Sequence, residues 1–258
     1  MERKTLVLFD CITGSRAYNL VSPTSDYDHR RVVTPLSLTY FFGLDSFEVG
    51  NVVTTKEEDS TDYSLRKFLS LIVSCNTVML EMLFAPKECH TNVHPLFREY
   101  FIAVKHEFLS KKIYESISNY AMAEYRRSMG EITRNLGAER KADIEKYGYS
   151  PKNASHCIRL LYAGITALKT GEFPVYLTGD IRELCYALKT YQIPKEEYLD
   201  VYASTLKSLS DAYSVSVLRE EIDMQFLNRH LVDFYLELFE RELVLSKAFL
   251  QLKKSADY

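Results

Sequence analysis

Two aspartates that stand two positions apart follow a glycine–serine pair near the start of the chain. Gly14 and Ser15 come after a short apolar segment, and Asp26 and Asp28 lie in the segment that follows. On a β-strand, residues i and i+2 point to the same face, so a strand here would bring both carboxylates to one place. Two carboxylates that close repel each other unless a cation joins them, and all-oxygen ligands suit Mg²⁺ or Mn²⁺. The spacing therefore predicts a metal site.

The glycine–serine pair predicts a phosphate site beside that metal. Gly14 lets the backbone approach a ligand closely, and a helix that begins here would direct backbone N–H groups at an anion. Together the four residues indicate metal-assisted phosphoryl or nucleotidyl transfer. Residue types and spacing leave a second interpretation open, in which the aspartates lie on a solvent-facing strand or loop and the glycine–serine pair forms an ordinary turn.

Composition narrows the class of protein. The chain has 258 residues, 47% of them hydrophobic, with nine glycines and seven prolines, which excludes collagen-like, low-complexity and disordered chains. A net charge of −3 excludes a globally basic nucleic-acid-binding surface but not a local basic cleft. Five scattered cysteines without a CxxC pair predict free thiols in a reducing cytosol, and no apolar run has the ~18 residues of a membrane span. We therefore expect a cytoplasmic protein without a membrane partner.

The elements that must position these residues divide into a strand-rich part and a helical part. The apolar run 5–9 and the alternating run 26–33 predict strands, and 47–54 predicts a β segment with a hairpin turn at Gly50 and Asn51. A helix is predicted over 63–74, and 78–84 is interpreted as a further buried strand. Helical periodicity is then found over 106–136, 151–170, 179–190, 195–212 and 222–252. The predicted fold class is α+β, a small mixed sheet followed by an all-α helical domain.

Sequence motifs in both parts resemble one nucleotidyltransferase family. The runs GSRAYNL at 14–20 and SPTSDYDHR at 22–30 are similar to the GS…SDxD signature of the DNA polymerase β superfamily, and more narrowly to its RNA-ligase-associated (RlaP-type) members. Two positions depart from the family pattern, since Asn19 and Arg31 each stand where the family has glycine. Three further stretches agree in the same order: YSLRKFL at 63–69, LEMLFAP at 80–86 and KNASHCIRLL at 152–161.

What the resemblance implies for the acids is a two-metal site. Asp26 and Asp28 would hold both metals, and a third carboxylate on a neighbouring strand would share one of them. The family pattern places this third carboxylate at Asp59, with Asp62 as the alternative. The shared metal would activate an acceptor hydroxyl, and the other would bind the triphosphate and neutralise the departing pyrophosphate. On sequence alone, a solvated loop is an equal alternative for the acids around Asp59.

The resemblance also assigns phosphate contacts to residues of the first motif. Ser15 would contact the β- and γ-phosphates, and Arg16 and Arg30 would clamp phosphates bidentately. Surface salt bridges are the alternative for both arginines. Glu81 is expected either to support the metal ligands or to pair with a basic residue of the helical part.

A stripe of polar residues in the helical part completes the set of candidates. Lys152, His156 and Arg159 have the i, i+4, i+7 spacing of one helix face. The spacing alone predicts a solvated face, whereas the resemblance implies contact with the triphosphate of the substrate, with Lys152 as the first candidate. The role of His156 stays open between a core histidine and an acid–base group.

The function that the resemblance implies is transfer of a nucleoside monophosphate from an NTP to a hydroxyl, with Mg²⁺ or Mn²⁺ as cofactor. The implied acceptor is an RNA end of tRNA-like type, held between a palm over 1–104 and a helical domain over 105–258 that closes the cleft. Modification of a protein hydroxyl and a non-catalytic nucleotide- or RNA-binding module are the alternatives. A groove lined by lysine and arginine would favour RNA, and a neutral, shallow rim would favour a protein acceptor.

Overall fold

The acidic residues are carried by a mixed β-sheet. A computed structural model describes residues 5–22, 25–37, 40, 44, 52–54, 58–134 and 136–256 of the chain. Within these ranges the strands are Thr5–Thr13 (β1), Tyr27–Pro35 (β2), Val52–Thr54 (β3), Glu58–Ser64 (β4) and His90–Val93 (β5). They form one sheet in the order β3-β4-β2-β1-β5.

The pairing of the central strands brings the end of β1 beside the start of β2. β1 is antiparallel to β2 and β5, β2 is parallel to β4, and β3 is antiparallel to β4. Leu8 and Phe9 are fully buried, so the apolar run of β1 anchors the middle of the sheet. Thr13 closes β1 opposite Asp28, and Asp26 lies one residue before β2 begins. The strands predicted over 5–9 and 26–33 are therefore confirmed, with the first one longer than expected and the second beginning at Tyr27.

Short helices accompany the sheet among the described residues. Their bounds are Gly14–Ala17 (α1), Leu65–Val73 (α2), Thr77–Phe84 (α3) and Pro95–Phe97 (α4). The helix predicted over 63–74 begins two residues later, because Tyr63 and Ser64 still belong to β4. Ser64 caps α2, since its Oγ accepts a hydrogen bond from the backbone N–H of Lys67 at 3.2 Å.

The predicted strand at 78–84 is wrong, because these residues form α3. The side chain of Asn76 caps this helix by accepting hydrogen bonds from the backbone N–H groups of Val78 at 3.1 Å and Met79 at 3.3 Å. Every residue from Met79 to Phe84 is buried, including Glu81, so the helix has no exposed face. A short run that is buried on all sides shows neither a helical nor a strand period, and only its packing identifies it.

The remaining helices confirm the predicted helical part, with one difference. They are Ile113–Ser128 (α5), Ala138–Tyr147 (α6), Pro151–Thr170 (α7), Gly179–Lys189 (α8), Lys195–Ser214 (α9) and Met224–Ala256 (α10). The single helix predicted over 106–136 is wrong, because α5 ends at Ser128 and α6 is a separate helix that the periodicity did not indicate. In the predicted β segment 47–54, β3 accounts for the last three residues, and the turn at Gly50 and Asn51 lies outside the described residues.

The observed fold is α+β, as predicted, and one apolar core runs through both parts. Phe68 and Phe97 from the sheet side belong to the same buried cluster as Leu160 and Leu161 of α7. The division into domains at residue 104 stays a prediction.

No single helix within the described ranges is long and apolar enough to cross a membrane. The helices α2 and α3 reach the required length and hydropathy only when they are counted together, and they are bent by 109° relative to each other.

Candidate active site

The turn between β1 and α1 touches one of the two aspartates. Gly14 has a left-handed φ of 70°, and a Cβ atom added there would collide with Oδ2 of Asp28. Only glycine accepts both this conformation and this close approach. The structure thus brings the predicted phosphate turn, Gly14 and Ser15, which we call the elbow, into contact with the carboxylate of Asp28.

Backbone register identifies which acid of β4 lies next to Asp28. Asp28 pairs with Asp59 on the parallel neighbour strand, and Asp26 is exposed just before β2. Asp62 pairs with Arg31, whose Nε donates a hydrogen bond to the Asp62 carboxylate at 2.6 Å. Since Asp62 stands an odd number of residues from Asp59, it belongs to the opposite face of the sheet. The register therefore favours Asp59 over Asp62 as the third carboxylate, which stays a prediction.

The donor set near the elbow suits a hard divalent cation. Asp26 and Asp28 offer only oxygen ligands, as Mg²⁺ and Mn²⁺ prefer, and two carboxylates are a usual number for a cation that keeps waters and binds substrate phosphates. Among the side chains that the structure describes, no three of histidine, cysteine, aspartate or glutamate cluster closely enough to hold a metal by themselves. The side chain of Asp59 is outside that described set, so the pair fits the cation with substrate phosphates supplying the remaining ligands.

Arg16 binds the loop that carries Asp26. Its Nε donates to the backbone carbonyl of Asp26 at 3.1 Å and its Nη2 to that of Ser25 at 3.0 Å. The guanidinium also lies over the ring of Tyr27, 3.5 Å from the centroid. These contacts indicate that Arg16 positions the loop before β2. The phosphate contact predicted for Arg16 stays a prediction. The contact predicted for Arg30 also stays a prediction; this side chain donates a hydrogen bond to the carbonyl of His29 at 3.1 Å and lines the cleft described below.

Both departures from the family pattern have a local explanation. Asn19 adopts a left-handed φ of 61°, which asparagine tolerates better than most residues, and its Nδ2 donates to the carbonyl of Leu177 at 3.1 Å. The turn after the elbow therefore does not need glycine there. Arg31 is directed to Asp62 and so belongs to the sheet face opposite Asp28.

A cleft of about 940 Å³ lies between the elbow and the helical part. One wall comes from the sheet side and the other from α6, α7 and α8. The residues that bear on function are Gly14, Ser15, Tyr18, Asp26, Asp28 and Arg30 on the first wall, and Arg140, Lys152, His156, Arg159, Lys189 and Tyr191 on the second. The structure thus brings every predicted site residue except Arg16 and Asp59 to the lining of one cleft.

Two lysines face the acids across this cleft. Lys152 is exposed and forms no hydrogen bond or ion pair within the described part of the chain. Lys189, at the end of α8, is half-buried and donates to the carbonyl of Leu20. Burial lowers the pKa of Lys189, the charge of Lys152 lowers it further, and Asp26 opposes both. Sequence reasoning missed Lys189, because a lysine in the last turn of a helix is equally typical of a surface residue.

A buried ion pair joins the sheet side to the helical part at the floor of the cleft. Glu81 and Arg159 are 4% and 0% exposed, and Nη2 of Arg159 donates to Oε1 of Glu81 at 2.7 Å. The hydroxyl of Tyr18 donates to the other carboxylate oxygen at 2.5 Å, and the guanidinium lies 3.6 Å from the centre of that ring. Of the two roles expected for Glu81, pairing with a basic residue of the helical part is the one observed.

His156 is held as a neutral imidazole. Its Nδ1 lies 3.2 Å from Nη2 of Arg159, and because a guanidinium only donates, Nδ1 accepts and the proton of the ring is on Nε2. Burial and the nearby charges of Arg159, Arg140, Arg127 and Lys152 hold the pKa of His156 well below its usual range. At neutral pH His156 therefore offers the cleft a hydrogen-bond donor rather than a positive charge.

A comparison with protein families agrees with the motifs. A family model described as the RNA repair pathway DNA polymerase beta family (RlaP) matches residues 1–228. No curated protein matches the chain. A nucleotidyltransferase-like protein of known structure from Exiguobacterium sibiricum is 13% identical, with 82% of this chain and 69% of that chain covered and a TM-score of 0.30. A likeness of that size carries no weight beside the family match.

Proposed function

Because the chain belongs to the RNA repair pathway DNA polymerase beta family, a nucleotidyltransferase family, we propose that it transfers a nucleoside monophosphate from an NTP to a hydroxyl at an RNA end. The observation that carries this proposal is the contact between the elbow and Asp28 inside a cleft whose opposite wall presents Lys152 and Lys189. A phosphate turn, an acid pair and facing lysines are the parts that nucleotidyl transfer needs.

Each part has a distinct role in the proposed reaction. The hydroxyl and backbone N–H of Ser15 bind the β- and γ-phosphates, and Lys152 and Lys189 neutralise them from the other wall. Asp26, Asp28 and Asp59 would hold the divalent cations. When bound, such cations supply Lewis-acid activation of a hydroxyl and neutralisation of the pyrophosphate. The acceptor oxygen forms a bond to the α-phosphorus, and the bond from that phosphorus to the bridging oxygen of pyrophosphate breaks.

The choice of RNA as acceptor rests on the family and on charge. The cleft lining carries Arg30, Arg140, Lys152 and Lys189 beside the acids Glu124, Glu139 and Asp143, so it offers cations to a phosphate backbone without being uniformly basic. A protein hydroxyl would not require such a surface. We therefore rank RNA above a protein acceptor, and both above a non-catalytic binding module.

The test is to incubate the protein with each α-³²P-labelled NTP, Mg²⁺, total RNA and total protein, and to ask which fraction becomes labelled. We expect label in the RNA fraction with one NTP preferred, and none when EDTA is present. Label confined to protein would identify the protein-modifying alternative. Tight NTP binding without any transfer would identify a binding module.

Gly14→Ala should lower kcat/KM by about 100-fold or more. The new methyl group pushes the Asp28 carboxylate out of place, and a displacement of ~1 Å near the reacting atoms has an effect of this size. Gly171→Ala is the matched control, because Gly171 also has a positive φ, 75°, but a Cβ there meets nothing within 4 Å. We expect Gly171→Ala to lower the stability by about 1–2 kcal/mol and to leave the activity unchanged. Equal activity losses in the two variants would contradict the role of the contact.

A further inference from the structure

The helix α6 forms part of the cleft wall, yet none of its ten residues is buried. Its last residue, Tyr147, contacts the ring of Tyr191. At its C-terminal end Gly148 has a left-handed φ of 79°. Four of its residues nevertheless line the cleft, namely Glu139, Arg140, Asp143 and Tyr147. Elements with few buried apolar contacts open at low free energy, so α6 is suited to move relative to α7.

Arg140 is the unusual residue of this helix. Its side chain is half-buried in the cleft, and within the described part of the chain it has no hydrogen bond and no ion pair. Glu139 and Asp143 are one and three positions away on the same helix, and neither forms an ion pair with Arg140 within the described residues. A partly desolvated guanidinium without a partner is unfavourable, and an anion that enters the cleft would supply the missing contacts.

The surroundings of Arg140 indicate what kind of anion this is. Arg140 is near enough to His156 to lower the pKa of that imidazole, together with Arg159 and Lys152. Lys152 in turn is close to Lys189, which is near Asp26. Arg140, Lys152 and Lys189 therefore share one wall of the cleft, and a ligand with several adjacent negative charges matches this group of cations.

The floor of the cleft adds hydrogen-bond donors to this wall. Arg159 is completely buried and paired with Glu81, and its Nε and Nη1 have no hydrogen-bond partner within the described part of the chain. Its single carboxylate partner is Glu81 among the residues that the structure describes. Glu139 and Asp143 line the same cleft and would repel a polyanion, so Arg140, Lys152 and Lys189 must together outweigh them for the ligand to bind.

We propose that Arg140 binds the triphosphate of the NTP, and that α6 is the element that closes to bring it there. The proposal rests on the proposed function and extends it, because neither the sequence motifs nor the family match assigns a role to this helix. An acceptor RNA also carries phosphates, but Lys189 donates a hydrogen bond to the carbonyl of Leu20, which follows the elbow closely in the chain. That proximity to the elbow favours the triphosphate over the acceptor.

Affinity for inorganic tripolyphosphate and for a non-hydrolysable ATP analogue, each with Mg²⁺, tests the proposal. We expect Arg140→Ala to weaken both by about 10-fold or more, as loss of a charge-assisted contact does. Lys141→Ala is the matched control, since Lys141 is an exposed cation on the same helix outside the cleft lining. Unchanged affinity in Arg140→Ala, or a loss seen only with acceptor RNA, would overturn the proposal.

Hydrogen exchange of the amides of α6 tests the closure. Tripolyphosphate should protect residues 138–147 in the natural protein and in Lys141→Ala, but not in Arg140→Ala. No protection in the natural protein would overturn the movement of α6. If the natural protein bound neither tripolyphosphate nor the ATP analogue, the proposed function would fall as well, whereas normal binding in Arg140→Ala removes only the role of Arg140.

Discussion

Asp28→Asn is expected to abolish Mg²⁺-dependent nucleotidyl transfer, with kcat/KM lowered by ~1,000-fold or more. The carboxylate of Asp28 lies against the elbow, and Asp28 pairs with Asp59 on the neighbouring strand. Asp28 therefore connects the phosphate turn to the acids that would hold the cations. Asparagine keeps the shape but removes the charge that would hold a cation, and cation activation supplies several kcal/mol of transition-state stabilisation. Labelled-NTP transfer measured at saturating Mg²⁺ checks the prediction, with thermal unfolding to confirm that the fold is retained.

Asp62→Asn is the matched control for this variant. Asp62 is on β4 like Asp59, but its partner is Arg31 and it belongs to the opposite face of the sheet. We expect Asp62→Asn to retain activity within a few-fold and to lose a modest amount of stability. The double variant Asp26→Asn with Asp28→Asn should be inactive and folded. Undiminished transfer in that double variant would remove the mechanism.

Glu81→Ala is expected to lower the free energy of unfolding by about 3–5 kcal/mol, which is the largest stability effect we predict. The substitution leaves the charge of Arg159 in a fully buried position and also removes the acceptor of the Tyr18 hydroxyl. Equilibrium unfolding in urea, followed by circular dichroism, measures the change. Because Glu81 is in α3 and Arg159 is in α7, the substitution should weaken the packing of the helical part against the sheet side.

Two comparisons separate the buried charge from a general effect of losing an ion pair. Glu131→Ala removes the exposed partner of Arg126 and should change stability by less than about 1 kcal/mol. Glu81→Leu combined with Arg159→Met removes both buried charges and should be less harmful than Glu81→Ala alone. A loss below 1 kcal/mol in Glu81→Ala would show that the pair does not hold the two parts together.

The sequence was informative wherever a local pattern carries the chemistry. The elbow, the acid pair and the start of β2 lie within one short stretch, so their residue types and spacing predicted a strand, a turn and a cation with phosphates. The helix α7 was likewise predicted within one residue at each end, because its apolar positions recur at helical spacing and Gly171 follows it. Such features depend on neighbours in the chain and are therefore readable from it.

Tertiary packing decided what those residues contact. Arg159 belongs to the predicted stripe with Lys152, yet it is buried because Glu81, 78 positions away, lies under it. Asp59 and Asp62 stand an odd number of positions apart on β4, so the strand register assigns them to opposite faces of the sheet. The local acidic run by itself does not distinguish them. Spacing along a helix or strand states which residues share a face, but not which distant residue meets that face. The ion pair at the cleft floor and the neutral histidine follow from contacts between separate elements, and these contacts are formed only when the chain folds.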